Sequence, residues 1–181
     1  MTRLITILVA CLFATATFAE STDQAAVSTL YANIGQVVEA GKVTPVDGLT
    51  TSGQPDVAAL RVFAESGYVA IVDLRGPNED RGFDQRYAVE EFGMSYVTLP
   101  IEGRDAITFD NAKKLDEILA KYDGPVLVHC RSGNRAGALL ALRASLHGED
   151  DEAALAFGKE AGITAPGLEA VVREELAADP N

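Results

Sequence analysis

Short apolar runs alternate along this chain with longer stretches of helical spacing. Val69-Ala70-Ile71-Val72, Met94-Ser95-Tyr96-Val97-Thr98-Leu99 and Val126-Leu127-Val128-His129 are bounded by Gly, Pro or polar residues and predict strands. Thr50-Thr51-Ser52-Gly53-Gln54-Pro55 predicts a further strand and turn. Between these runs the period changes. Val57, Leu60, Phe63 and Ala64 share one helical face after Pro55, and Gly67 is the expected stop. Phe83 to Phe92 predicts a second helix, ended by Gly93. Ala112, Leu115, Ile118, Leu119 and Tyr122 form a stripe behind Thr108, which can cap it. Arg135 to His147 predicts an apolar helix stopped by Gly148. Two more helices follow, one capped by Asp150 and one opened by Thr164 and Pro166. Ala25 to Ala40 shows a weaker helical spacing, interrupted by Gly35. Strands alternating with helices imply an α/β domain with a central, mostly parallel sheet flanked by helices. The helices after residue 135 have no predicted strand among them and imply a C-terminal helical layer on one face.

The first residues follow a different pattern. Arg3 precedes an apolar run from Leu4 to Phe18, and Ala19 is followed by Glu20, Ser21, Thr22 and Asp23. This is the pattern of a secretory signal peptide at 1–19, with cleavage after Ala19. The run is short for a membrane span, which needs about 20 apolar residues. Leu8-Val9-Ala10-Cys11 also matches a lipoprotein signal, the alternative for this segment. Residues 20–44 then read as an N-terminal extension and 45–181 as one catalytic domain, exported to a bacterial periplasm. Cleavage removes Cys11, leaving Cys130 as the lone thiol and precluding an internal disulfide.

Charge narrows the partners. The 181-residue chain carries 15 basic and 27 acidic residues, a net charge of −12. Nucleic acid and anionic membrane surfaces are therefore not expected partners once the leader is removed. An anionic substrate must be drawn in by a local positive site.

His129-Cys130-Arg131-Ser132-Gly133-Asn134-Arg135 supplies such a site. A hydrophobic strand delivers Cys130 into a short loop containing Gly133 and Asn134, residues that tolerate unusual backbone angles. The loop runs directly into a helix, whose free N–H groups and dipole attract an anion and favour a thiolate. Arg131, Ser132, Gly133 and Asn134 are the expected anion-binding loop, and Arg135 can turn a planar fork onto an oxyanion. His129 is expected to orient the loop or tune the thiol rather than to act as a base. No Walker or dinucleotide-binding motif is present, and with two histidines in the chain neither a metal nor another cofactor is expected.

With these residues the chain resembles a known family. The cysteine loop is similar to the signatures of cysteine-dependent phosphatases and of rhodaneses. Thr51-Ser52-Gly53-Gln54-Pro55, Val72-Asp73-Leu74-Arg75 with Glu79, and Gly124-Pro125-Val126-Leu127-Val128-His129-Cys130 together resemble the phosphatase-like domain of bacterial beta-lactamase-hydrolase-like proteins, over roughly residues 45–148. The resemblance implies a dual-specificity-phosphatase-like fold, with Cys130 as nucleophile and Arg135 as oxyanion binder. Two departures bear on the reaction. Tyrosine phosphatases have Cys-x5-Arg followed by Ser or Thr; here the spacing is Cys-x4-Arg and Ala136 follows. That loop length is similar to rhodanese loops, which carry a persulfide, although the helices that follow are unlike a rhodanese domain.

Phosphate ester cleavage also needs an acid for the leaving oxygen. Glu102, with Asp105 close by, lies after the strand-end Pro100, where dual-specificity phosphatases carry an Asp. Asp73 and Arg75 sit at a strand end on the same edge, where Arg75 either pairs with an acidic neighbour or helps to hold the anion. The loop length puts sulfur transfer from a small anionic or persulfide donor first. Hydrolysis of a phosphorylated substrate comes second, and a non-catalytic anion-binding or thiol redox-sensing module third.

Overall fold

The structure, a computed structural model, describes residues 27, 28 and 30–178; the signal peptide expected at 1–19 lies outside them. Among the described residues the elements run in the order β1 (Val27–Ser28), β2 (Tyr31–Ala32), α1 (Ile34–Ala40), β3 (Val43–Thr44), β4 (Leu49–Ser52), α2 (Val57–Glu65), β5 (Ala70–Asp73), α3 (Gln85–Glu91), β6 (Ser95–Thr98), α4 (Phe109–Leu119), β7 (Val126–His129), α5 (Asn134–Leu146), α6 (Asp151–Glu160) and α7 (Pro166–Ala178). Five strands form one sheet in the order β2-β4-β7-β5-β6, parallel at every pairing, and β1 pairs with β3 in a separate two-stranded sheet.

The predicted strands and helices appear near their expected places. Asp56, Asp84, Thr108 and Asp150 each accept a backbone N–H at a helix start, which satisfies donors that have no partner within the helix. Residues 25–40 differ from the expected helix. Among the described residues there only α1 is helical, because Asn33 caps it late and Tyr31–Ala32 just before it are extended to add β2 to the sheet edge. The N-terminal extension thus contributes an edge strand to the main sheet.

The sheet separates two cores. Val126 and Val128 of β7 face a layer built from α4, α5, α6 and α7, while Leu127 between them faces α1, α2 and α3. A strand covered on both faces needs apolar residues at every position, which explains why β7 reads as an unbroken apolar run. Helix α5 lies within the larger core, with every residue from Ala136 to Leu142 buried. Its close neighbour is α6, met where two glycines face each other. A Cβ on Gly158 would stand 2.6 Å from the Ala141 Cβ and 2.8 Å from the Gly137 carbonyl. Burial of Leu139, Leu140 and Leu142 contributes roughly 2 kcal/mol each and holds α5 under the sheet. The start of α5, and with it the cysteine loop, is thereby held at the carboxyl end of the sheet. Among the described residues no helix is long and apolar enough to cross a membrane.

Candidate active site

β7 occupies the centre of the sheet, so the loop leaving it opens at the carboxyl edge between β4 and β5. Parallel α/β sheets bind ligands at this edge. In register there lie Ser52 of β4, His129 of β7 and Asp73 of β5. Cys130 follows directly and is 1% exposed. Gly133 caps α5 with φ +89°, a left-handed backbone that suits glycine, and its N–H donates to the Cys130 Sγ at 3.1 Å. The sulfur thus faces inward along the loop, toward the N-terminus of a 13-residue buried helix.

Several elements hold the loop. The Gln54 N–H donates to the Arg131 carbonyl at 3.1 Å, and Gly53 forms a bridge with Ser132. Asn134 latches the turn between α6 and α7. Its Oδ1 accepts the N–H groups of Thr164 and Ala165, both at 2.8 Å, and its Nδ2 donates to Ser132 Oγ and Thr164 Oγ1 at 3.2 Å each. The side chains of Arg131 and Ser132 are exposed at the mouth.

Arg135 points its fork at Glu79. One terminal nitrogen meets Oε1 at 2.5 Å and the other meets Oε2 at 2.8 Å; the first also donates to the Ile101 carbonyl at 3.1 Å. The Arg135 hydrogen bond holds the Glu79 carboxyl at about 2, against the opposing effect of burial and with help from the Gly76 N–H. Glu79 in turn raises Arg135, burial opposes this, and the neighbouring Cys130 sulfur adds to it. The guanidinium is therefore anchored on its far side by a carboxylate while standing beside the sulfur. Glu79 stands in the sequence beside the Asp73–Arg75 motif, but its pairing spans 56 residues and no local pattern shows it.

Under the loop lies a buried polar network. Asp73 accepts the backbone N–H of Arg75 (2.9 Å), two of its guanidinium nitrogens (3.0 and 3.1 Å), Arg81 Nε (2.9 Å) and the Tyr96 hydroxyl (2.7 Å). Burial would raise this carboxyl, but the hydrogen bonds from Arg75 and Tyr96 hold it far below the ordinary carboxylate range. Arg75 is 1% exposed and also donates to Gln54 and Gln85. It pairs structurally, and its guanidinium does not face the groove at the loop mouth. His129 is fully buried; its Nδ1 bonds the Cys130 carbonyl at 3.2 Å and its Nε2 meets Gln85 Nε2 at 2.8 Å. Burial pushes its pKa down to about 4, so it is a neutral imidazole that donates from Nδ1 and accepts at Nε2. Gln54, Gln85, Arg81 and Tyr96 are further members of this scaffold that the sequence does not reveal.

The chain from 99 to 107 forms the other wall. The N–H groups of Leu99 and Ile101 are tied to the carbonyls of Asp73 and Leu74 at 3.0 and 2.9 Å. Glu102 is exposed and lies against Gly76, where an added Cβ would meet its Oε1 at 2.5 Å. Asp105 is exposed on the same loop. Between this wall and α7 runs a groove of about 470 Å³, lined by Glu79, Gly103, Arg104, Ser132, Asn134, Arg135, Ala165 and Leu168. Among the described residues no group of three or more His, Cys, Asp or Glu side chains is placed to hold a metal ion.

A parallel sheet that presents a buried cysteine at a helix N-terminus, with an arginine five residues on, defines a phosphatase-like domain of the dual-specificity and tyrosine phosphatase fold. Residues 42–147 match the family described as beta-lactamase hydrolase-like protein, phosphatase-like domain, and the chain belongs to that family. A beta-lactamase hydrolase-like protein of Xylella fastidiosa is 35% identical over 104 residues, which cover 55% of this chain and 24% of that protein. The chain thus spans about a quarter of that relative's length. Among solved structures, a candidate phosphatase from Neisseria meningitidis has a TM-score of 0.59 at 20% identity, covering 69% of this chain and 91% of the other. The kinase associated phosphatase has a TM-score of 0.52 at 15% identity, covering 69% and 79%. Those two likenesses establish the fold.

Proposed function

We propose that the protein is a cysteine-dependent hydrolase of small phosphorylated substrates. The observation that carries this reading is the geometry around Cys130: its sulfur accepts the Gly133 N–H at the start of α5, beside an Arg135 fork held by Glu79. The Cys130 thiolate attacks phosphorus and the bond to the leaving oxygen breaks. The loop N–H groups and Arg135 stabilise the equatorial oxygens. A carboxylic acid on the 99–107 wall, Glu102 or Asp105, gives the leaving oxygen its proton. Water then cleaves the sulfur–phosphorus bond, releasing phosphate and regenerating the thiolate. His129 is neutral and bonded to the loop backbone, so its part is to hold the loop.

The loop length by itself favours sulfur transfer, whereas the family and fold are phosphatase-like and lend that reaction no support; its place is second. One observation still favours it. The loop is Cys-x4-Arg, and the residue after Arg135 is a buried Ala136 with no hydroxyl to assist a departing thiolate. In this reading the thiolate attacks the outer sulfur of a thiosulfate-type donor, sulfite leaves, and the Cys130 persulfide passes its outer sulfur to an acceptor thiolate. We propose further that the chain is exported to the periplasm by residues 1–19 and acts on neither nucleic acid nor membrane.

One experiment separates the reactions. The protein is incubated with a phosphotyrosine mimic, and separately with thiosulfate, with Cys130→Ser as control. Phosphate release lost in the variant supports the hydrolase. A gain of one sulfur on Cys130 that cyanide removes, with no phosphate release, replaces it with sulfur transfer. Neither product returns the loop to a non-catalytic anion-binding or redox-sensing role.

A further inference from the structure

We propose that Tyr31, on edge strand β2, is a positioning residue for the Cys130 thiolate, acting through the Ser132–Gly133 peptide. The two ends of that single peptide unit carry different bonds. Its N–H donates to the Cys130 Sγ at 3.1 Å, and its carbonyl accepts the Tyr31 hydroxyl at 3.3 Å. A donor on the carbonyl polarises the peptide and strengthens the N–H on the far side. The aromatic ring acts on the same unit sterically. Gly133 and Gly162 both leave room for it: a Cβ on Gly162 would stand 2.6 Å from Tyr31 Cδ2, and a Cβ on Gly133 would collide with the same ring edge. Both glycines have left-handed backbones, with φ +89° and +116°. The ring thus fills the slot that side chains at Gly133 and Gly162 would need, beside the peptide whose N–H meets the sulfur.

Tyr31 is itself firmly placed. It pairs in register with Thr51 of β4, and the Thr51 hydroxyl bonds both the Leu30 carbonyl (3.1 Å) and the Ala161 carbonyl (2.7 Å). Tyr31 and Gly162 both lie outside the stretch that matches the family, so the chain's two flanks meet over the cysteine loop.

The inference rests on the reading of Cys130 as a thiolate nucleophile, and the test separates the two. Thiolate formation is followed by far-ultraviolet absorbance against pH in the wild type, Tyr31→Phe and Tyr31→Ala, with Cys130→Ser as blank. The other charged groups around the sulfur are Arg131 in the loop, Arg135 on α5 and Glu79 opposite it, with Asp73, Arg75 and Arg81 beneath; none is altered by these substitutions. The thiolate fraction at a fixed pH on the rising limb is expected to fall about twofold in Tyr31→Phe and several-fold in Tyr31→Ala, relative to wild type. Tyr31→Phe keeps the ring in its slot and is expected to retain the wild-type melting temperature. Should Tyr31→Ala not fold, Tyr31→Leu takes its place. Variant curves that superimpose on the wild type overturn the role of Tyr31. A wild type with no titrating thiolate overturns instead the nucleophile reading on which it rests.

Discussion

Replacing Asp73 by Asn tests whether the site stands on a charged core. The substitution keeps shape and volume but exchanges one carboxylate oxygen for an NH2 group. Oδ1 accepts two N–H groups of Arg75, and Oδ2 accepts from Arg75, Arg81 and Tyr96. Whichever way the new amide turns, its NH2 faces N–H donors, and only the Tyr96 hydroxyl can reverse to accept. Two guanidinium groups also lose their counter-charge. The Arg75 side chain has no exposure and the Arg81 side chain 19%, so the penalty falls chiefly on Arg75. Removing one partner of a buried ion pair costs about 3–5 kcal/mol. The total stability of a domain is about 5–15 kcal/mol, so this loss is a large share. With a urea m-value of about 2 kcal/mol/M, the unfolding midpoint is expected to fall by roughly 2 M. Circular dichroism in urea on wild type and Asp73→Asn measures it. A fall below about 0.5 M at unchanged m would refute the reasoning, because it would mean that water or rearrangement neutralises Arg75 without the carboxylate. A double-mutant cycle with Arg81→Gln then apportions the loss, and a coupling of at least about 0.5 kcal/mol is expected for groups in contact.

Other expectations follow from the same geometry. Glu79→Gln loses the charge that anchors the Arg135 fork, so kcat/KM is expected to fall by about 10²-fold; because this pair is partly exposed, the stability change stays near or below about 1 kcal/mol, and unaltered kinetics would show that Arg135 needs no such support. Stability should decline as pH is lowered from about 6.5 toward 4. Unfolded His129 takes up a proton in that window while the buried folded imidazole, at about 4, does not. The full effect is roughly 3 kcal/mol, measured by urea titrations at several pH values, and His129→Asn should flatten the slope. Gly133→Ala imposes left-handed strain of about 1–2 kcal/mol plus a collision with Tyr31, lowering the melting temperature by about 5 °C and the reactivity of Cys130 with it. Arg135→Lys keeps one charge but cannot span both Glu79 oxygens, so calorimetry should find little loss of stability while turnover drops by more than tenfold.

The family and the fold class were legible in local runs of sequence, whereas the loop length pointed to sulfur transfer, which the phosphatase-like family and fold do not support. The apolar stretch into Cys130, the Gly133–Asn134 turn and the entry to α5 are all determined by neighbours within a dozen positions. Strand burial, helix caps and glycine stops are also local effects, which is why β7, α4 and α6 fall where the pattern predicts. The same locality limits the reading. The spacing of apolar residues over 25–40 fits helix and strand alike, and pairing with β4 decides for β2. Arg75 could be read as ion-paired or as anion-binding until the fold enclosed it with Asp73, Gln54 and Gln85. The Glu79–Arg135 fork, the Asn134 latch on Thr164 and Ala165, and the Tyr31 ring between Gly133 and Gly162 join positions 30 to 131 residues apart. Polar pairs of that kind leave no periodic trace. Their partners are chosen by which strand ends and helix starts the packed sheet brings together, so the sequence by itself determined the cysteine loop and its entry into a helix, and only the tertiary structure decided what holds it.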